Sequence, residues 1–255
     1  MDETLLPGAL FVLATLALIF AVYFGMRLIA ARHIGDDTRE LANSVIIRIT
    51  ALHGLILALV FAQELLSYQL LKSETVKEAN AIANIYNDAV RHGSPAAAEI
   101  QAAMSAYVNL VATEEWRQLG DEGTLLGPAW AEWDRAYQAI LDLQEDTPRK
   151  AALRTNMLAG IHGISESRDL RAAQAIQGID AMFWFAAVSG LVFASMAYFS
   201  FPPKLVNLVL IGMFGAFTGV VLFIIYALSN PFQAPGALSP AAIQRLADGR
   251  IGHNG

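Results

Sequence analysis

Residues 54–90 read "GLILALVFAQELLSYQLLKSETVKEANAIANIYNDAV", an apolar stretch that turns polar without losing its helical spacing. Counted as one helix, His53, Leu57, Val60, Glu64, Ser67, Leu71, Glu74 and Glu78 are spaced alternately by four and three, so all eight lie on one seam. The reading this imposes is a membrane span that continues into the aqueous phase as the same helix. Beyond the membrane, Asn80, Asn84, Asn87 and Arg91 fall within about 60° of one another at 100° per residue. Ile82, Ile85, Tyr86, Ala89 and Val90 take the other side. Glu78 falls at the edge of that apolar arc, where an unpaired charge is costly.

The rest of the chain agrees with a membrane setting. Of its 255 residues 55% are hydrophobic and 16% charged, outside the balance of a soluble domain. With no cysteine, it has no disulfide framework, thiolate metal site or cysteine nucleophile. A net charge of -6 excludes a nucleic-acid partner, which needs clustered Lys and Arg to neutralise phosphates.

Span one covers Gly8–Met26, 19 uncharged residues, close to the roughly 20 that cross a bilayer core. The acidic "MDE" before it, and the lack of a small-residue cleavage site, set it apart from a signal peptide. Span two covers Val45–Ser67, its polar ends snorkelling. Span three covers Ala181–Pro203, with aromatic residues at both ends as interfacial anchors, and span four covers Leu205–Leu228. Pro202, Pro203 and Lys204 leave room only for a tight hairpin between the last two. Gly212, Gly215 and Gly219 in span four fit close helix packing.

Between spans two and three, the punctuation is helical throughout. Ser94-Pro95 and Thr147-Pro148 read as cap and first helical residue, Gly120 and Gly123 as a helix end, and Gly127-Pro128 as the next start. Apolar stripes follow: Ile100, Met104, Tyr107, Val108 and Val111; Trp130, Trp133, Tyr137, Ile140 and Leu141; Leu153, Met157, Ile161 and Ile164. The expected fold is an all-α membrane protein, four transmembrane helices in two hairpins with a helical bundle inserted between spans two and three. Its parts are residues 1–64, 65–179, 180–230 and a loose C-terminal tail at 231–255 with one short helix.

The last bundle helix carries its apolar stripe onward to Arg168 and Arg171. Their distances along the chain from the membrane boundary nearly match those of Glu78 and Glu74. An ion-pair ladder of Glu78 with Arg168 and Glu74 with Arg171 is therefore expected. Within the membrane, His53, Leu57, Val60 and Glu64 are candidate pore-lining residues, Leu57 and Val60 as a constriction and Glu64 as an acceptor that favours cations. A neutral, hydrogen-bonded His53 between helices and a headgroup position for Glu64 are the competing readings. No enzyme signature is present: His33, His53, His92, His162 and His253 lack metal-ligand spacing, and Glu114-Glu115 reads as a solvated helix end. No metal or other cofactor is expected.

The stretch at 54–90, with "AAMSAYVNLVATEEW" after it and "SNPFQAPGALS" after span four, resembles a bestrophin-like family of bacterial membrane proteins. Glu78-Ala79-Asn80-Ala81-Ile82 matches its E-A-N-A-I segment, and Pro231-Phe232 its last motif, with the glycine delayed to Gly236. The resemblance implies an oligomeric four-span helical protein of the bacterial inner membrane, a possible channel. The expected partners are the lipid bilayer, further copies of the chain and another membrane protein. Asn80, Asn84 and Asn87 are the expected subunit or partner contact. Two other roles fit the residues: an accessory or docking subunit, and a helical sensor acting through a partner. Arg27, Arg32, Arg39, Arg48 and Lys204 sit in the two short hairpin loops or their flanks, so charge counting puts the helical domain in the periplasm.

Overall fold

The computed structural model describes residues 2–30, 36–176 and 178–249. Arg32, His33, His253 and the end of the C-terminal segment lie outside them. The protein is an all-α membrane protein, and the described residues contain no strand. Among the described residues nine α-helices follow in order: α1 (Asp2–Ala30), α2 (Asp36–His92), α3 (Pro95–Leu110), α4 (Trp116–Glu122), α5 (Gly127–Leu141), α6 (Pro148–Ile176), α7 (Ala181–Ala197), α8 (Leu205–Leu228) and α9 (Ala241–Ala247). α1, α2, α7 and α8 are long and apolar enough to cross a membrane. The chain divides into two compact units.

The first unit comprises Met1–Ser67, Ile179–Asn230 and Ala234–Gly236. In it α8 packs on α1, and glycine sets the closeness: a Cβ on Gly219 would stand 2.8 Å from the Val12 Cα, and one on Gly215 2.6 Å from the Ile19 side chain. Gly212 has more room, its nearest neighbour being the Phe20 ring at 3.6 Å. Asp180 caps α7 by accepting from the Met182 N–H at 2.7 Å. The tight turn between α7 and α8 is tied down by α1. Tyr23 donates to the Phe201 carbonyl at 2.9 Å, and Arg27 donates to the carbonyls of Phe199 and Phe201, both at 3.0 Å. Leu10, Leu13, Phe185, Phe193, Leu210 and Phe217 remain exposed, as lipid-facing side chains should.

The second unit comprises Tyr68–Gly178, Pro231–Gln233 and Ala237–Gly255. Its core combines Ile82, Ile85 and Ala89 of α2, the α3 stripe from Ile100 to Val111, Ile140 of α5, and Met157, Ile161 and Ile164 of α6. Thr147 caps α6, its hydroxyl accepting from the Lys150 N–H at 3.2 Å. Ser94 precedes α3 with its hydroxyl turned instead to His92 Nδ1 at 2.9 Å.

Two expectations change here. Gly123 ends α4 in the left-handed conformation (φ +68), but Gly120 is inside the helix. It is there because a Cβ would stand 2.7 Å from the Phe232 carbonyl oxygen, leaving no space for a side chain. The residues expected as a loose tail are part of the core: Phe232, Leu238 and Ile243 are buried, and Trp116 donates to the Leu238 carbonyl at 2.6 Å. Burial of those three apolar side chains offsets the entropy of ordering a Pro- and Gly-rich segment.

Candidate functional site

The helical domain contains a buried ionic cluster. α2 supplies Glu78, α3 supplies Tyr107, and α6 supplies Arg168 and Arg171 one turn apart on its buried face. The fourth charge, Glu115, comes from a π-helical turn, Val111–Glu115, between α3 and α4. Such widened turns are uncommon and often mark functional or constrained positions. The turn leaves Glu114 exposed and Glu115 fully buried, so the pair is not the solvated helix end expected from sequence.

The geometry is a chain of charge-assisted contacts. Arg171 grips Glu78 with both terminal nitrogens, at 2.6 and 3.1 Å, and reaches Glu115 at 3.0 Å. Arg168 meets the other Glu115 oxygen at 2.7 Å, and that oxygen also accepts the Leu126 N–H at 3.1 Å. Tyr107 donates to Glu78. The guanidinium planes are covered by aromatic rings, Arg168 by Trp130 at 4.4 Å and Arg171 by Trp116 at 5.1 Å. Two carboxylates and two guanidiniums give no net charge, the condition under which buried ions are tolerated.

The proton affinities follow from this setting. Burial opposes the Arg171 charge, but Glu78, Tyr107 and Glu115 outweigh it and raise its pKa. Burial raises Glu115 above the ordinary carboxylate range, partly countered by Arg171 and Arg168. Tyr107 lies well above the ordinary tyrosine value, first through burial and then through the Glu78 carboxylate. The cluster ties α2, α3, the turn after it and α6 to one another through its ion pairs and hydrogen bonds.

Neither rung of the expected ladder, Glu78 with Arg168 or Glu74 with Arg171, forms. Glu78 pairs with Arg171, not Arg168, and Glu74 lies one turn away, bonded to Lys77 at 2.6 Å and to Ser167 at 3.4 Å. Counting heights on two helices had no place for a third carboxylate, and Glu115 takes Arg168. Its signal was the continuation of the α3 stripe: Met104, Val108, Val111, Glu115 and Leu119 follow one another at helical spacing. Asn80, Asn84 and Asn87 are exposed, opposite the buried Ile82, Ile85 and Ala89.

In the membrane unit, the other seam residues turn inward. His53 is 3% exposed, and a Cβ on Gly190 of α7 would stand 2.5 Å from its Nδ1. Neither ring nitrogen has a hydrogen-bond partner among the described residues, so the interhelical hydrogen bond expected for a neutral His53 is not there. A cavity of about 210 Å³ beside it is lined by Ile49, Leu52, Ile56, Ala186, Ser189 and Phe193. Leu57 is buried with Phe183, Ala187, Leu222 and Ile225, and Val60 and Glu64 are half-buried. A three-and-four seam is the pattern of packing against neighbouring helices as much as of lining a pore, and here His53, Leu57 and Val60 pack. Among the described residues no three His, Asp or Glu side chains converge as metal ligands.

A family model described as a bestrophin-like domain matches residues 10–243. No curated protein and no solved structure matches the chain.

Proposed function

The chain belongs to the bestrophin-like family, and from that membership we propose that it is a homo-oligomeric ion channel of the bacterial inner membrane. The match over residues 10–243 carries this reading, because it includes all of α2, α7 and α8 and most of α1. We place α2 on the pathway by its outward side. Leu52, Leu55, Leu59 and Leu66 repeat at the spacing of a helix seam and are exposed, opposite the packed His53 and Leu57. A ring of such leucines is a hydrophobic constriction, which gates by expelling water. Glu64 lies at the aqueous end of the span on the opposite, packed seam and is half-buried, so its carboxylate acts on the pathway through its field, which raises the local cation concentration. Cation preference is the expectation that follows. The test is conductance of purified protein in planar bilayers with unequal salt: a reversal potential on the cation side, moved toward zero by Glu64→Gln, is expected. A reversal potential on the anion side would remove the cation assignment.

The exposed amides Asn80, Asn84 and Asn87 favour a second reading, an accessory subunit that docks on another membrane protein. Silent bilayers containing correctly assembled protein would select it over the channel.

A further inference from the structure

The exposed side of α2 in the helical domain has a regular order. Ser73, Val76, Asn80, Ala83, Asn87 and Val90 are spaced by three and four, the repeat of a coiled-coil seam. Ser73, Asn80 and Asn87 form one line of this heptad, and Val76, Ala83 and Val90 the other, Ala83 being half-buried against the domain's own core. Val76 is 43% and Val90 54% exposed, although β-branched side chains are favoured where they can pack. All three residues of the polar line are exposed.

Resting on the homo-oligomeric reading above, we propose that this seam meets the same seam of a second copy, parallel and in register, with Asn80 against Asn80 and Asn87 against Asn87. The occupant is argued from complementarity. An amide carries donors and an acceptor together, so an identical residue at the same height can both donate to it and accept from it. Polar residues at such positions fix register and copy number at some cost in stability. Of the charges flanking the seam, Lys77 is paired within the helix by Glu74 at 2.6 Å and Arg91 by Asp88 at 2.7 Å, while exposed Lys72 stands at the membrane-proximal end beside Ser73. The seam itself carries no charge from Ser73 to Val90, so like-charge repulsion between two parallel copies is confined to Lys72 at its end.

The chain has no cysteine, so single substitutions report unambiguously. Asn80→Cys, Asn87→Cys and, as a near-isosteric check on the same line, Ser73→Cys are made in the full chain in membrane vesicles and oxidised. Asp134→Cys, exposed on α5 of the same domain, is the control. Disulfide-linked dimer at least tenfold above the control at all three positions is expected. Oligomer visible by lysine-reactive cross-linking, with no disulfide at 73, 80 or 87, would overturn the seam and leave the homo-oligomer standing. A monomer in native lipid would overturn both. A maleimide cross-link from position 80 whose mass is not a multiple of the chain would assign the face to a different protein.

Discussion

Arg171 holds Glu78 by both terminal nitrogens across 93 positions of sequence, in surroundings that leave neither side chain more than 1% exposed. An ion pair so placed sets register between α2 and α6 as much as it stabilises, because any slip strands a charge without water.

Removing one partner should therefore cost far more than removing both. Glu78→Ala or Arg171→Ala is expected to destabilise the protein by about 3–5 kcal/mol. The double variant retains the Arg168–Glu115 pair and should cost clearly less than the sum. Glu74→Ala, a half-buried partner of exposed Lys77, should stay within about 1 kcal/mol. Unfolding of the four variants in detergent, followed by circular dichroism, measures this. Equal effects at 74 and 78 would contradict the geometry.

Alkaline pH should expose the Tyr107 bond. Its folded pKa is raised above the unfolded value, so its contribution is complete below the ordinary tyrosine pKa and is lost as pH rises toward the raised one. Tyr107→Phe should cost about 1.5–3 kcal/mol at neutral pH. It should also flatten the fall in stability at high pH. In the parent protein, the tyrosinate signal assigned by difference to Tyr107 should appear only with unfolding.

Gly219→Ala should separate α8 from α1. The added Cβ meets backbone at Val12 and cannot be relieved by a rotamer change, so a cost of about 1–3 kcal/mol is expected. Gly54→Ala, with nothing within 4 Å of its new Cβ, should be neutral or mildly stabilising. Melting temperatures of the two variants make the comparison.

Orientation is open to direct measurement. The periplasmic placement rests on the arginines flanking the first hairpin and on Lys204. Cysteine at exposed position 134 should accordingly react with a membrane-impermeant maleimide in intact cells. Labelling only after lysis would put the helical domain in the cytosol.

Much of this architecture could be read from periodicity, which is a local property. The continuation of span two into α2 as a single helix, the Thr147 cap and the outward amides all follow from spacing along one segment. Arg168 and Arg171 were identifiable because they occupy apolar positions of a stripe. Which carboxylate each one meets is not legible, because a side chain as long as arginine reaches carboxylates a turn apart, and although Glu115 continues the α3 stripe, the widened turn that carries it leaves no compositional trace. The packing of the C-terminal segment is hidden from sequence for a related reason. Its Pro and Gly content describes local flexibility, whereas Trp116 and Phe232 are brought together by the whole fold, their rings 5.6 Å apart.

The burial of Phe232, Leu238 and Ile243 in the helical domain also bears on how the protein is made. These residues follow α8, so two crossings separate them from the core they complete, and an even number of crossings returns the chain to the side it left. The contact between Trp116 and Leu238 therefore cannot form until α7 and α8 have been synthesised, so a chain shortened before the end of α8 leaves the core of this domain without its last three apolar side chains.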